Sequence, residues 1–279
     1  MRPLAIDLFC GVGGWSNGLL AEGWDVIGFD IEQHVYSEHR YPAQLVIQDV
    51  LTLHGSQFRD ADLIVASPPC QEYSYMAMPW KRAKAKAAAI RADKTGKELE
   101  RLNRLFNACF RIQREACEAA GHHIPLVVEN VKGAQPWVGR ARWNFGSFYL
   151  WGDVPALMPP TFKAYKSSGM NWSDQTKRGQ DFTRIAGNQA IKNNGGSWFN
   201  IAHNATSGKG RNPDGRALKD DEHIKLGGSW FHGYRQGQGP RNHGSKSVKR
   251  KAASAMIAKI PLTLARHIAA VYRPIAEAA

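Results

Sequence analysis

Cys70 stands in the run Ser67-Pro68-Pro69-Cys70-Gln71, directly after the apolar stretch Leu63–Ala66. A structural cysteine normally sits among apolar residues, and Cys109 and Cys117 have that setting on helical spacing. Cys10 lies beside glycines and reads as packing. Only Cys70, between a rigid proline pair and a polar glutamine, is placed as a nucleophile. Glu129 follows two valines in Val127-Val128-Glu129-Asn130-Val131, which suggests a carboxylate held at a strand end rather than one in solvent. A third group is the glycine turn Asp7-Leu8-Phe9-Cys10-Gly11-Val12-Gly13-Gly14. Glycines there let backbone N–H groups approach a ligand at a helix N-terminus. Asp30 ends the next apolar run, where a carboxylate can accept the ribose hydroxyls of an adenosine cofactor. Asp49 could accept from an adenine amino group, although an ordinary turn or cap residue explains it as well.

The elements that must position these groups alternate. Strands are expected over Ala5–Phe9, Trp24–Phe29, Leu45–Val50, Leu63–Ala66, Pro125–Glu129 and Ser147–Trp151, with a helix over Trp15–Glu22. Such alternation implies an α/β fold with a doubly wound parallel sheet, whose crevice lies at the strands' C-terminal ends. Both Cys70 and Glu129 fall at such ends.

Met78–Arg104 is alanine-rich and crowded with Lys81, Arg82, Lys84, Lys86, Arg91 and further cations, so it reads as a basic helix or a lid over a phosphate backbone. Lys166–Ser247 is rich in Gly, Asn, Ser, Lys and Arg, and contains a near-repeat, Gly195-Gly196-Ser197-Trp198-Phe199 and Gly227-Gly228-Ser229-Trp230-Phe231. Ala252–Tyr272 returns to an amphipathic helical pattern, broken by Pro261. The chain therefore divides into 1–165, 166–247 and 248–279. With 279 residues and 43% hydrophobic content it can bury a sizeable core. A net charge of +13 favours a polyanionic partner over a merely basic surface. Four cysteines with no CxxC pair and no zinc spacing imply reduced thiols and no metal site. No leader or membrane-length apolar run is seen, so a cytoplasmic protein is expected.

The three motifs, Asp-Leu-Phe-Cys-Gly-Val-Gly-Gly, Pro-Cys-Gln and Glu-Asn-Val, in this order and at these spacings, resemble the cytosine-C5 DNA methyltransferase family over roughly the first 155 residues. The resemblance implies a Rossmann-like catalytic domain that uses S-adenosylmethionine, a small target-recognition domain, and a C-terminal helix returning to the first domain. It implies that Phe9, Gly11, Val12, Gly13, Gly14, Asp30, Ile31, Asp49, Val50 and Pro69 line the cofactor pocket. Cys70 would attack cytosine C6, Glu129 would hydrogen-bond N3 and the amino group, and Arg140 or Arg142 would steady the base carbonyl. The implied partner is double-stranded DNA, with a cognate restriction endonuclease as a further partner and a monomeric enzyme. A tRNA cytosine-C5 methyltransferase carries the same catalytic motifs. A non-catalytic nucleic-acid-binding protein on this fold is disfavoured by the intact Cys70, Glu129 and glycine turn. Two departures stand out. The arginines lie at unusual spacing before Phe145–Gly152, and Ile257-Ala258-Lys259-Ile260-Pro261 replaces the family's Gly-Asn before the last helix.

Overall fold

The computed structural model describes residues 2–36, 39–74, 80–158, 251, 255 and 258–274. The segment 166–247, with its near-repeat and its expected recognition role, lies outside the described residues. Met1–Pro159 and Leu262–Ala279 gather into one compact unit.

In chain order the elements are β1 (Leu4–Leu8), α1 (Gly14–Ala21), β2 (Asp25–Asp30), β3 (Val35–Tyr36), β4 (His39–Arg40), β5 (Gln44–Ile47) and β6 (Leu63–Ala66). There follow α2 (Trp80–Ala92), α3 (Lys97–Ala120), β7 (Leu126–Asn130), α4 (Gln135–Val138), β8 (Trp143–Phe145), β9 (Phe148–Gly152) and, at the C-terminus, α5 (Leu262–Tyr272). Seven strands form one sheet in the order β5-β2-β1-β6-β7-β9-β8. The chain winds outward from β1 in both directions, so the crevice opens where β1 and β6 end side by side. This is a Rossmann-like α/β fold.

The first five strands in that order pair in parallel, whereas β9 runs antiparallel to β7 and β8 antiparallel to β9. The expected wholly parallel sheet is thus mostly parallel. Gly146-Ser147 is too short for a crossover and can join β8 to β9 only as a hairpin. All residues of β6 and β7 are buried, as continuous apolar strands covered on both faces should be.

The long helix α3 lays Leu102, Phe106, Cys109, Ile112 and Ala116 into the core beside Ile64, Leu126 and Val128. Pro261 interrupts the helical pattern, standing between the helical residues 251, 255 and 258 and helix α5, which it immediately precedes, a position where its missing N–H costs nothing. Helix α5 packs on α1, and a Cβ at Gly18 would overlap Ala265, so the two backbones meet directly. Trp24 Nε1–H donates to the Ala269 carbonyl at 3.1 Å, and Arg266 pairs with Glu22 at 2.6 Å. Among the described residues no helix is long and apolar enough to cross a membrane.

Candidate active site

The glycine turn leaves β1 through left-handed backbone at Phe9 (φ 57°), Gly11 (φ 52°) and Gly13 (φ 75°). Gly13 then caps α1, and a side chain there would collide with Pro42. Asp30 reaches across from the end of β2. Its Oδ2 accepts from the Gly11 N–H at 2.9 Å and its Oδ1 from the Ile31 N–H at 2.8 Å. Burial alone would raise the Asp30 pKa, but the hydrogen bonds from His34 and from the Gly11 and Glu32 amides outweigh it and hold the carboxyl ionised. Oδ1 is also approached by the Glu32 amide at 3.4 Å and by His34 Nε2 at 3.5 Å, so Oδ2 is the oxygen with a lone pair to spare for a further donor.

Ile31 beside it is 68% exposed, and Ile47, opposite Asp30 across the ladder at the end of β5, is 54% exposed. Asp49 is half-buried and caps the short 3-10 turn Val50–Thr52, accepting from the Leu51 N–H at 2.9 Å. That cap is why β5 stops at Ile47 and not at Val50. Val50 itself belongs to the core, as do Val12 and the buried Gly13 and Gly14.

Replacing Asp30 with alanine removes a charged acceptor and releases the Gly11 amide. Loss of such a hydrogen bond costs about 1.5–3 kcal/mol, roughly 10- to 150-fold in affinity. Calorimetry with S-adenosylhomocysteine reads this directly, and unchanged affinity would show that β2 does not hold the ribose.

Beneath the turn, Asp7 is 1% exposed. The Ser16 hydroxyl donates to its Oδ2 at 2.5 Å and lies 2.7 Å from the Tyr41 hydroxyl, while Asp7 Oδ1 has no hydrogen-bond partner among the described residues. Burial pushes the Asp7 carboxyl up to about 7, against the Ser16 hydrogen bond and with the charge of Asp30 adding to it. The folded value exceeds the unfolded 3.8, so the folded chain binds the extra proton between these pH values. Stability therefore falls as pH rises through that window. Asp7→Asn is expected to flatten this slope, bringing the urea midpoints at pH 5 and pH 7.5 closer together. A variant with the wild-type slope would rule Asp7 out as its source.

Cys70 and Glu129 are set by β6 and β7, which pair in parallel with Ala66 opposite Val128. Pro68 is buried, Pro69 exposed and Cys70 half-buried, while Glu129 is 7% exposed. Asn130, fully buried, joins the two strand ends. Its Nδ2 donates to the Pro68 carbonyl at 2.9 Å, and its Oδ1 accepts from the Val131 N–H at 2.8 Å. A second brace comes from α1, where Trp15 Nε1–H donates to Ser67 Oγ at 3.0 Å. Beyond Cys70 the chain turns tightly, with the Tyr73 and Ser74 amides donating to the Cys70 carbonyl at 3.0 and 2.9 Å.

Arg140 and Arg142 are both exposed on the approach to β8. The Arg142 amide donates to the Leu150 carbonyl at 2.9 Å, and Leu150 lies directly opposite Glu129. The arginines thus sit one hairpin away from the carboxylate, not on its own strand.

Sequence reasoning missed Asn130, Trp15, Tyr73 and Asn103 as members of this arrangement. Asn103 alone left a signal, a polar residue on the apolar face of α3.

The family described as C-5 cytosine-specific DNA methylase matches residues 4–134, the segment that carries the glycine turn, Asp30, Cys70 and Glu129. Over 85 residues the chain is 31% identical to the type II methyltransferase M.XorII of Xanthomonas oryzae pv. oryzae, covering 26% of this chain and 20% of that protein. It thus spans about a fifth of the length of the curated relative. Among solved structures, a proposed DNA modification methyltransferase encoded within an Escherichia coli prophage has 26% identity and a TM-score of 0.31, covering 48% of this chain and 33% of that one. The Entamoeba histolytica methyltransferase EhMeth has 12% identity and a TM-score of 0.41, covering 96% of this chain and 97% of that one.

Proposed function

We propose that this chain transfers a methyl group from S-adenosylmethionine to C5 of a flipped-out cytosine in double-stranded DNA, through a covalent Cys70 adduct. The observation that carries this reading is the Asn130 bridge. It holds the Cys70 turn and Glu129 side by side at the end of the sheet where the glycine turn and Asp30 open. The donor set fits the cofactor: the ionised Asp30 suits ribose hydroxyls, and the unpartnered Asp7 Oδ1 below the turn suits a cationic or donor group. Phe9, Gly11, Ile31, Asp49 and Pro69 would complete its cradle. When bound, the cofactor supplies an electrophilic methyl on a sulfonium.

The chain's own residues supply the rest. Cytosine C5 is too weak a nucleophile to take a methyl group unaided, so the Cys70 thiolate first adds to C6, forming a carbon–sulfur bond. The electron pair pushed through the ring collects at N3, which takes the proton of Glu129 and leaves Glu129 as the carboxylate. C5, now enamine-like, takes the methyl. Water removes the C5 proton, the C6–S bond breaks, the Cys70 thiolate leaves, and the N3 proton returns to Glu129. Arg140 or Arg142 would steady the base carbonyl. In duplex DNA the target carbon is stacked, so the base must leave the helix first.

The basic helix α2, whose first turn carries no acidic residue, is read as closing over the DNA backbone. Residues 166–247 are read as the recognition segment. Phosphate contacts would set affinity there and a few arginines would read base edges.

The deciding experiment compares tritiated methyl incorporation into duplex DNA, tRNA and buffer alone. Bisulfite sequencing of DNA from expressing cells then gives the site. Incorporation into tRNA with none into duplex DNA would replace the substrate, and incorporation into neither would overturn the activity. Cognate endonuclease and monomeric state are part of the same proposal, tested by restriction protection and by mass in solution.

A further inference from the structure

Asn103 lies mid-helix in α3 on the face occupied by Leu102, Phe106 and Cys109, and is 6% exposed. An amide there costs free energy unless it is hydrogen-bonded, and asparagine is a poor helix former, so leucine would serve packing better. The amide is engaged at both ends. Its Oδ1 accepts from the Tyr73 hydroxyl at 3.0 Å, and its Nδ2 donates to the Trp137 carbonyl at 2.8 Å. Tyr73 is the third residue after Cys70, is 3% exposed, and its amide holds the Cys70 carbonyl. Trp137 is the third residue before Arg140, and its ring lies 5.3 Å from the Arg91 guanidinium of α2. The Tyr73 hydroxyl has one proton and is also 3.1 Å from the Leu102 carbonyl, so it anchors to α3 in either orientation.

We propose that Asn103 is a positioning residue that fixes the nucleophile's turn relative to the segment leading to Arg140 and Arg142. The proposal rests on the reading of Cys70 as the nucleophile. Cys70 and the arginines approach the base from different elements, and neither is on α3. Asn103 is the side chain through which one rigid helix sets both, so the thiolate and the carbonyl contact meet the base ring in one geometry.

The test uses the full chain and four proteins: wild type, Tyr73→Phe, Asn103→Leu and the double variant. Tyr73→Phe deletes one hydroxyl and keeps the ring, so it stays informative even if Asn103→Leu folds poorly. Because a misplacement of about 1 Å can cost up to 10²-fold in rate, each single variant is expected to lower kcat on duplex DNA by about tenfold. The KM for S-adenosylmethionine should stay within about twofold, since the cofactor cradle is on β1 and β2. The double variant should be no slower than Asn103→Leu, because the two side chains act as one unit.

A second readout needs no DNA: the rate of Cys70 alkylation by iodoacetamide, read on its own peptide by mass spectrometry. Both single variants should change this rate by about fivefold or more, as expected for a displaced thiol. Folded variants with kcat and alkylation rates within twofold of wild type overturn the proposal, and so do losses that multiply in the double variant. A wild-type protein inactive on every nucleic acid would sink the proposed function. The alkylation rates would still decide the role of Asn103.

Discussion

Cys70→Ala is expected to abolish methyl transfer, lowering it by about 10⁴-fold or more, as removal of a covalent nucleophile does. Binding of S-adenosylhomocysteine should be preserved. Cys70 belongs to the turn after β6, whereas Gly11 and Asp30, proposed to hold the cofactor and hydrogen-bonded to each other, belong to the ends of β1 and β2. Cys70→Ser should be nearly as inactive, because a serine hydroxyl lacks the ready ionisation of a thiol. The positive counterpart is chemical trapping. DNA with 5-fluorocytosine at the target should hold wild-type protein in a denaturant-resistant adduct, since fluorine cannot leave C5 as a proton does. An equally stable adduct with Cys70→Ala protein would move the nucleophile elsewhere and end the mechanism proposed above.

Gly13→Val should be the most damaging change on the cofactor side. Gly13 has φ 75° and ψ 45°, a left-handed conformation that a β-branched residue adopts at a cost of about 1–3 kcal/mol. A Cβ there also overlaps the Pro42 ring, adding an overpacking cost of about 1–3 kcal/mol. The turn must therefore shift, and with it the backbone amides at the start of α1. Binding of S-adenosylhomocysteine is expected to weaken by at least about 10²-fold, if a shift of about 1 Å breaks two or more of the contacts made there. Gly13→Ala, with the same φ problem but less bulk, should fall between. Calorimetric affinity within threefold of wild type for the valine variant would show that the turn does not contact the cofactor.

Much of this frame is legible in the sequence because parallel strands covered on both sides are written as unbroken apolar runs. Leu63–Ala66 is read to the residue, and β1, β2 and β7 within about one residue at either end. The parts that escape are those whose causes are not local. β8 is three residues long and β3 and β4 two each, too short for any period to register. Val50 continues an apolar run and so reads as strand, but the Asp49 side chain captures the Leu51 amide and turns the chain into a 3-10 helix. Asn130 reads as a neighbour of Glu129, yet its partner Pro68 is 62 residues distant, a relation that only the β6–β7 pairing creates. Tyr73 and Asn103 are likewise separated by 30 residues and meet only because α3 crosses beneath the Cys70 turn. The sequence alone does not choose between Arg140 and Arg142, and the hairpin explains the difficulty. It inserts β8 between them and the antiparallel strand β9, which shifts the spacing on which a motif depends.

The packing of α5 on α1 also has a consequence in time. Trp24 donates its indole N–H to a carbonyl 245 residues further along the chain, and Gly18 is covered by Ala265 and the Arg266 backbone. At translation rates of about 5–20 residues per second, the ribosome needs roughly 12–50 s to deliver that partner after Trp24 has been made. For that interval the glycine turn is carried by a helix with one apolar face bare. The cradle proposed for the cofactor is thus completed among the last parts of the fold although it is encoded among the first.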